Sequence, residues 1–79
     1  MQLNLADAAL FIRVAELSTL SAAARERNEP VSQVSRAISR IETALGVRLL
    51  HRSTHGLSLT DEGDAFLAHA RSMLDIAAE

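Results

Sequence analysis

The chain has no cysteine, no lysine and only two aromatic residues, Phe11 and Phe66, among 79. Proline occurs once and glycine three times. Each scarcity excludes something. Without cysteine there is no disulfide scaffold and no thiolate metal site. Few glycines and prolines, with an apolar fraction of 48% rich in Ala and Leu, favour helix. No apolar run is long enough to span a bilayer. The N-terminus lacks a basic leader and carries Asp7 and Arg13 within its apolar part, so it is not a signal peptide. The expectation is a soluble, cytoplasmic protein without a membrane partner. No Gly-rich phosphate loop or Gly-x-Ser-x-Gly elbow is present, and neither an enzyme nor a cofactor is expected. His51 and His55 stand four apart, but their segment reads as strand and turn. No third or fourth ligand accompanies them, so no metal site is expected.

What is present is unevenly placed. The formal net charge is −2. Residues 31–60 hold Arg36, Arg40, Arg48 and Arg52 against Glu42, a local +3, leaving −5 for the rest. The total argues weakly against nucleic acid, whereas the distribution argues for one basic face. A single domain of this length buries only ~60% of its unfolded surface, and a partner chain would help it.

Apolar Leu10, Phe11, Val14 and Leu17 repeat at helical spacing and predict a helix over residues 5–17. Ser21 is placed as the N-cap of a short helix over 22–27. Asn28, Glu29 and Pro30 form the turn. A third helix runs from Pro30 or Val31 to Leu45, with Val34, Ile38, Ile41 and Leu45 as its buried stripe. Ser32, Arg36, Ser39 and Thr43 repeat on the opposite side, flanked by Gln33 and Arg40. Gly46 stops the helix. Two short strands around a turn at residues 53–56 follow. Thr60 caps a last helix with Asp61 and Glu62 in its first turn. That helix carries Phe66, Ala70, Met73 and Ala77, with Leu67 and Leu74 beside them. It reaches Glu79 without a stop signal, as a fragment of a longer protein would.

Two helices joined by a tight turn, the second with a polar outer face, fit a helix-turn-helix. A helix in the major groove needs short side chains for approach and a few Arg or Gln for bidentate contacts. Ser32, Gln33, Arg36, Ser39 and Arg40 supply that set. The competing reading is a merely solvated face, but such faces carry Glu and Lys, and this one has Glu42 off to the side. The following hairpin reads as a wing, with Arg52 reaching a phosphate or the minor groove; an ordinary surface arginine is the plainer alternative. In the last helix, two adjoining apolar seams exceed what so small a core covers. Phe66 and Ala70 are assigned to the domain, and Leu67, Met73, Leu74 and Ala77 to dimerisation. A helical interaction module that pairs through this helix and never touches DNA is the alternative function.

Taken together, "FIRVAELSTLSAAARER", "VSRAISRIETALGVRLLHRST" and "LSLTDEGDAFLAHAR" resemble the N-terminal DNA-binding domain of LysR-type transcriptional regulators over nearly the whole chain. The resemblance implies a mainly α fold: a winged helix-turn-helix with a three-helix core and a short two-stranded wing over residues 1–59, then a linker helix over 60–79. It implies homodimerisation through that helix, binding to an interrupted palindrome in double-stranded DNA, and a small-molecule effector held only by a C-terminal domain outside this chain. It places recognition contacts on Ser32, Gln33, Ser35 and Arg36, with Ser39 and Arg40 further along, and backbone contacts on Ser21 and Arg52. The turn departs from the pattern. Arg27 and Glu29 stand where relatives have leucine-like residues, Pro30 where they have Ser or Thr, and Val31 where Pro or Gln is frequent. A less tightly packed turn, with Glu29 close to DNA, is what these departures imply.

Overall fold

The structure, a computed structural model, describes residues 4–53 and 56–78, and the side chains of these except 52, 53 and 76–78. Four helices and one hairpin follow in the order α1 (Leu5–Leu17), α2 (Leu20–Arg27), α3 (Val31–Leu45), β1 (Leu50–Ser53), β2 (Gly56–Leu59) and α4 (Asp61–Ala78). The mainly α winged helix-turn-helix expected from the sequence is what forms.

Helix α1 is the hub, packing against α2, α3 and α4. Asn4 caps it by accepting a 2.8 Å bond from the Ala6 amide, which satisfies one of the first-turn donors a helix leaves unpaired. Ala8, Leu10, Phe11 and Val14 point inward and are buried. The 3.6-residue period places them on one side of the helix. Phe11 meets Phe66 of α4 edge to face at 5.3 Å between ring centroids and 67° between planes. Such pairs add about 0.5–1.5 kcal/mol beyond area burial, so the two aromatics of the chain join its first and last helices.

Helix α2 starts earlier than the sequence reading has it. Its N-cap is Thr19, not Ser21: Thr19 is extended (φ −145°, ψ 149°) and accepts from the Ala22 amide at 3.0 Å. Both residues can cap. Leu20 decides, because it packs against the core as the first helical residue, and that draws Ser21 into the first turn, where it is exposed.

The helix-turn-helix corner is closed by backbone rather than by side-chain packing. Asn28 adopts a left-handed conformation (φ 57°), with its amide bonded to the Arg25 carbonyl at 3.2 Å and the Glu29 amide to the Ala24 carbonyl at 2.9 Å. This is a Schellman closure, with asparagine in the place glycine usually takes. Pro30 then precedes α3 and makes no side-chain cap bond, while its carbonyl accepts from the amides of Gln33 and Val34 at 3.0 and 3.5 Å. Glu29 and Pro30 are exposed. The unusual turn residues thus form a defined corner, although the side-chain cap a Ser or Thr would supply is missing.

Strands β1 and β2 pair antiparallel, with Leu50 opposite Leu59 and Arg52 opposite Leu57. Residues 54 and 55, at the centre of the expected turn, lie outside the described residues. Leu49 and Leu50 are buried and anchor the hairpin to the helical core. Thr60 links the hairpin to α4. Its hydroxyl donates to the Arg48 carbonyl at 2.6 Å and accepts from the Gly63 amide at 2.9 Å, and its own amide donates to the Leu49 carbonyl at 3.0 Å. The first turn of α4 lies so close to β1 that a Cβ on Gly63 would collide with the Leu49 carbonyl oxygen. Only glycine permits that approach.

Candidate nucleic-acid interface

Helix α3 has two unlike sides. Val34, Ala37, Ile38 and Ile41 are buried, and Leu45 is half-buried against the same core. Ala37 belongs to this stripe too, a small residue that the 4, 3, 4 spacing of larger ones passes over. With that side fixed inward, Ser32, Gln33, Arg36, Ser39, Arg40 and Thr43 are all exposed. Ser35 lies between the two sides, partly buried. Arg36, Ser39, Arg40 and Thr43 line one shallow apolar-floored hollow on the outer face. Short side chains at 32, 39 and 43 let a ligand surface come close to the helix axis, and the arginines offer planar donor forks.

Two contacts that the sequence does not announce engage carboxylates beside this face. The first involves Glu42, which turns toward the hairpin. Its Oε2 accepts from the amides of Leu49 at 2.8 Å and Leu50 at 3.4 Å. The carboxylate therefore braces the entry to β1 and fixes the hairpin relative to α3. The second is Asp7 of α1. Its two oxygens accept from Nε and Nη2 of Arg40, each at 2.9 Å. Its hydrogen bonds to Asp7 hold the Arg40 guanidinium above its usual range. Asp7 is nearly buried, with 10% of its side chain exposed, while Arg40 keeps 59%.

Arg36 and Arg48 are exposed and form no salt bridge among the described residues. No carboxylate among the described residues pairs with either of them. Arg52 lies on β1, but its side chain is outside the described residues. Ser21 is exposed at the start of α2. Arg27, Glu29 and Gln33 border a hollow that also reaches the Asp7–Arg40 pair, so the acidic Glu29 lies near the outer side of α3.

The back of the molecule holds a second charged cluster. Arg13 donates to Glu26 of α2 through Nε at 2.7 Å and Nη2 at 2.6 Å, and to Glu16 at 2.8 Å. Arg71 of α4 reaches Glu16 at 3.5 Å. Along α4, Phe66 and Ala70 are buried, as assigned. Leu67 and Met73 are partly buried against the same core, Leu74 is half-buried, and the side chain of Ala77 is outside the described residues.

Comparison with known proteins agrees with this geometry. The family described as bacterial regulatory helix-turn-helix protein, lysR family, matches residues 5–64. LtrA of Klebsiella pneumoniae, a probable HTH-type transcriptional regulator, is 42% identical over 78 residues, which cover 98% of this chain and 25% of that protein. The chain thus spans about a quarter of the length of this curated relative. The crystal structure of a CbnR DBD–DNA complex superimposes with a TM-score of 0.92 at 37% identity, over 96% of this chain and 87% of that one. A BenM DBD complex with catB site 1 DNA gives 0.90 at 28% identity, over 96% and 85%. No helix among the described residues is long and apolar enough to cross a membrane. With the family match covering most of its residues and a relative this similar along nearly its full length, the chain belongs to the lysR family of bacterial regulatory helix-turn-helix proteins.

Proposed function

We propose that this chain is the sequence-specific DNA-binding part of a dimeric cytoplasmic transcription regulator, with α3 in the major groove and the β1–β2 hairpin at the backbone or minor groove. The observation that carries the reading is the outer side of α3: six exposed residues, all small, amide or cationic, with the one carboxylate of the helix turned onto hairpin amides. A solvated face of no function has no need of that arrangement. The likeness to the DNA-bound CbnR and BenM domains supports the same placement.

In this reading Arg36 is the main base reader, with Ser32, Gln33 and Ser35 beside it and Ser39 further along. Ser21, Arg40 and Arg52 hold phosphates. The Leu67, Met73, Leu74 and Ala77 side of α4 pairs with a second copy, so the site is an interrupted palindrome. Any small-molecule effector is bound by a C-terminal domain outside this chain, a reading supported by the quarter of LtrA that this chain spans. No catalytic role is assigned to any residue. Selection of bound sites from random duplex DNA, with a salt titration on the winners, tests the proposal. Enriched two-fold symmetric sites and affinity falling with salt are expected. Dimerisation without any duplex binding at low salt would instead make the chain an interaction module.

A further inference from the structure

The contact between Asp7 and Arg40 bridges 33 residues of sequence, and it has a particular shape. Asp7 takes Nε and Nη2, the side edge of the guanidinium fork. An arginine carries five N–H donors. Those left over are both hydrogens of Nη1 and one of Nη2, and one from each nitrogen forms the end edge. Arg40 lies one turn beyond Arg36 on the outer side of α3, and more than half of its side chain is exposed. The carboxylate behind it is almost enclosed and cannot swing away into solvent. The pair is therefore a largely exposed fork whose charge is offset by an almost enclosed carboxylate.

Those properties separate two effects that an unpaired arginine combines. Attraction to DNA at long range follows net charge and is indifferent to sequence. A close bidentate contact depends on where the fork sits. We propose that Asp7, a residue outside the recognition helix, is a specificity-determining positioning residue: it cancels the long-range pull of Arg40 on arbitrary DNA while holding the end edge of its guanidinium for one phosphate of the bound site. The inference rests on the proposed entry of α3 into DNA and adds a residue of α1 to it.

The test compares the unaltered chain with Asp7→Asn and with the double variant Asp7→Asn/Arg40→Gln. Binding is measured against salt on a fixed duplex of arbitrary sequence and on a duplex selected from a random pool by the unaltered chain. Freeing Arg40 in Asp7→Asn should strengthen binding to the arbitrary duplex several-fold and steepen the log–log salt slope by about 0.9. The ratio of selected to arbitrary affinity should fall. The double variant has the same net charge as the original and keeps amide hydrogen bonding across the contact. Its salt slope should match the original while its ratio stays low. An Asp7→Asn slope and ratio equal to the original would overturn the proposal and leave Asp7 a structural residue, a role that thermal melting alone would register. If Asp7→Asn does not fold, the double variant decides: a slope shallower by about one means Arg40 acts as a full cation, and the proposal fails. No salt-dependent binding by the unaltered chain would sink the DNA-binding reading and this inference with it. Binding that is intact but insensitive to Asp7 sinks the inference alone.

Discussion

At the scale of single residues, two exposed arginines should behave differently because of what they are assigned to meet. Arg36→Ala is expected to cost about 1–3 kcal/mol on a selected site and to relax base preference there. Binding curves on the selected duplex and on single-base variants of it measure this. An equal loss on every sequence would move Arg36 to the phosphate class. Arg52→Ala should weaken binding evenly across sequences and lower the salt slope by about one. Gly63 makes a prediction about stability instead. Because a Cβ there meets the Leu49 carbonyl, Gly63→Ala should destabilise the fold by about 1–3 kcal/mol, read by urea denaturation, although alanine normally favours a helix. A neutral or stabilising result would mean that α4 and β1 lie further apart than described.

At the scale of elements, the pairing of α1 with α2 depends on pH. Hydrogen bonds from Arg13 hold the Glu26 carboxyl below its ordinary value of 4.5. A depressed carboxyl contributes stability that is present above its ordinary value and lost as pH falls through the lower, folded value. The difference in melting temperature between the unaltered chain and Glu26→Gln should therefore shrink toward zero as pH is lowered from neutral through that range. The effect is small, since both partners are well exposed and surface pairs are screened. Helix α4 carries the assembly prediction: Leu74→Glu should shift the proposed dimer toward monomer in sedimentation while the melting of the core changes little. How far these elements could be read from sequence follows from the range of the forces that set them. The 4, 3, 4 spacing in α3 identified its buried stripe because periodicity is local. Thr60 was legible as a cap for the same reason. The start of α2 was not, since Thr19 and Ser21 are chemically alike and the burial of Leu20 chooses between them. Glu42 and Asp7 were invisible in their roles, because each meets partners that only the folded chain brings near. The basic count for residues 31–60 accordingly overstated the free charge: Arg40 is offset by a carboxylate from outside that window.

At the scale of the whole molecule, an acidic chain is expected to bind an acidic polymer, and the arrangement of charge makes that coherent. The side bearing the outer face of α3 presents Arg36 and Arg48 without a salt bridge among the described residues, whereas Arg13 and Arg71 are engaged with Glu16 and Glu26 on the other helices. Long-range steering should accordingly be weak for so small a surplus, and the salt slope of one subunit should correspond to only a few phosphate contacts. The corner at Thr60 carries a further consequence. Four hydrogen bonds converge on that one residue, and the chain has no slack there. A single residue inserted between Leu59 and Asp61 would turn α4 by about 100° about its own axis. It would swing Phe66 away from Phe11 and aim a different flank at the proposed second subunit. Length at this corner is therefore as strictly constrained as identity, and in the proposed dimer a count of residues sets the spacing between its two half-sites.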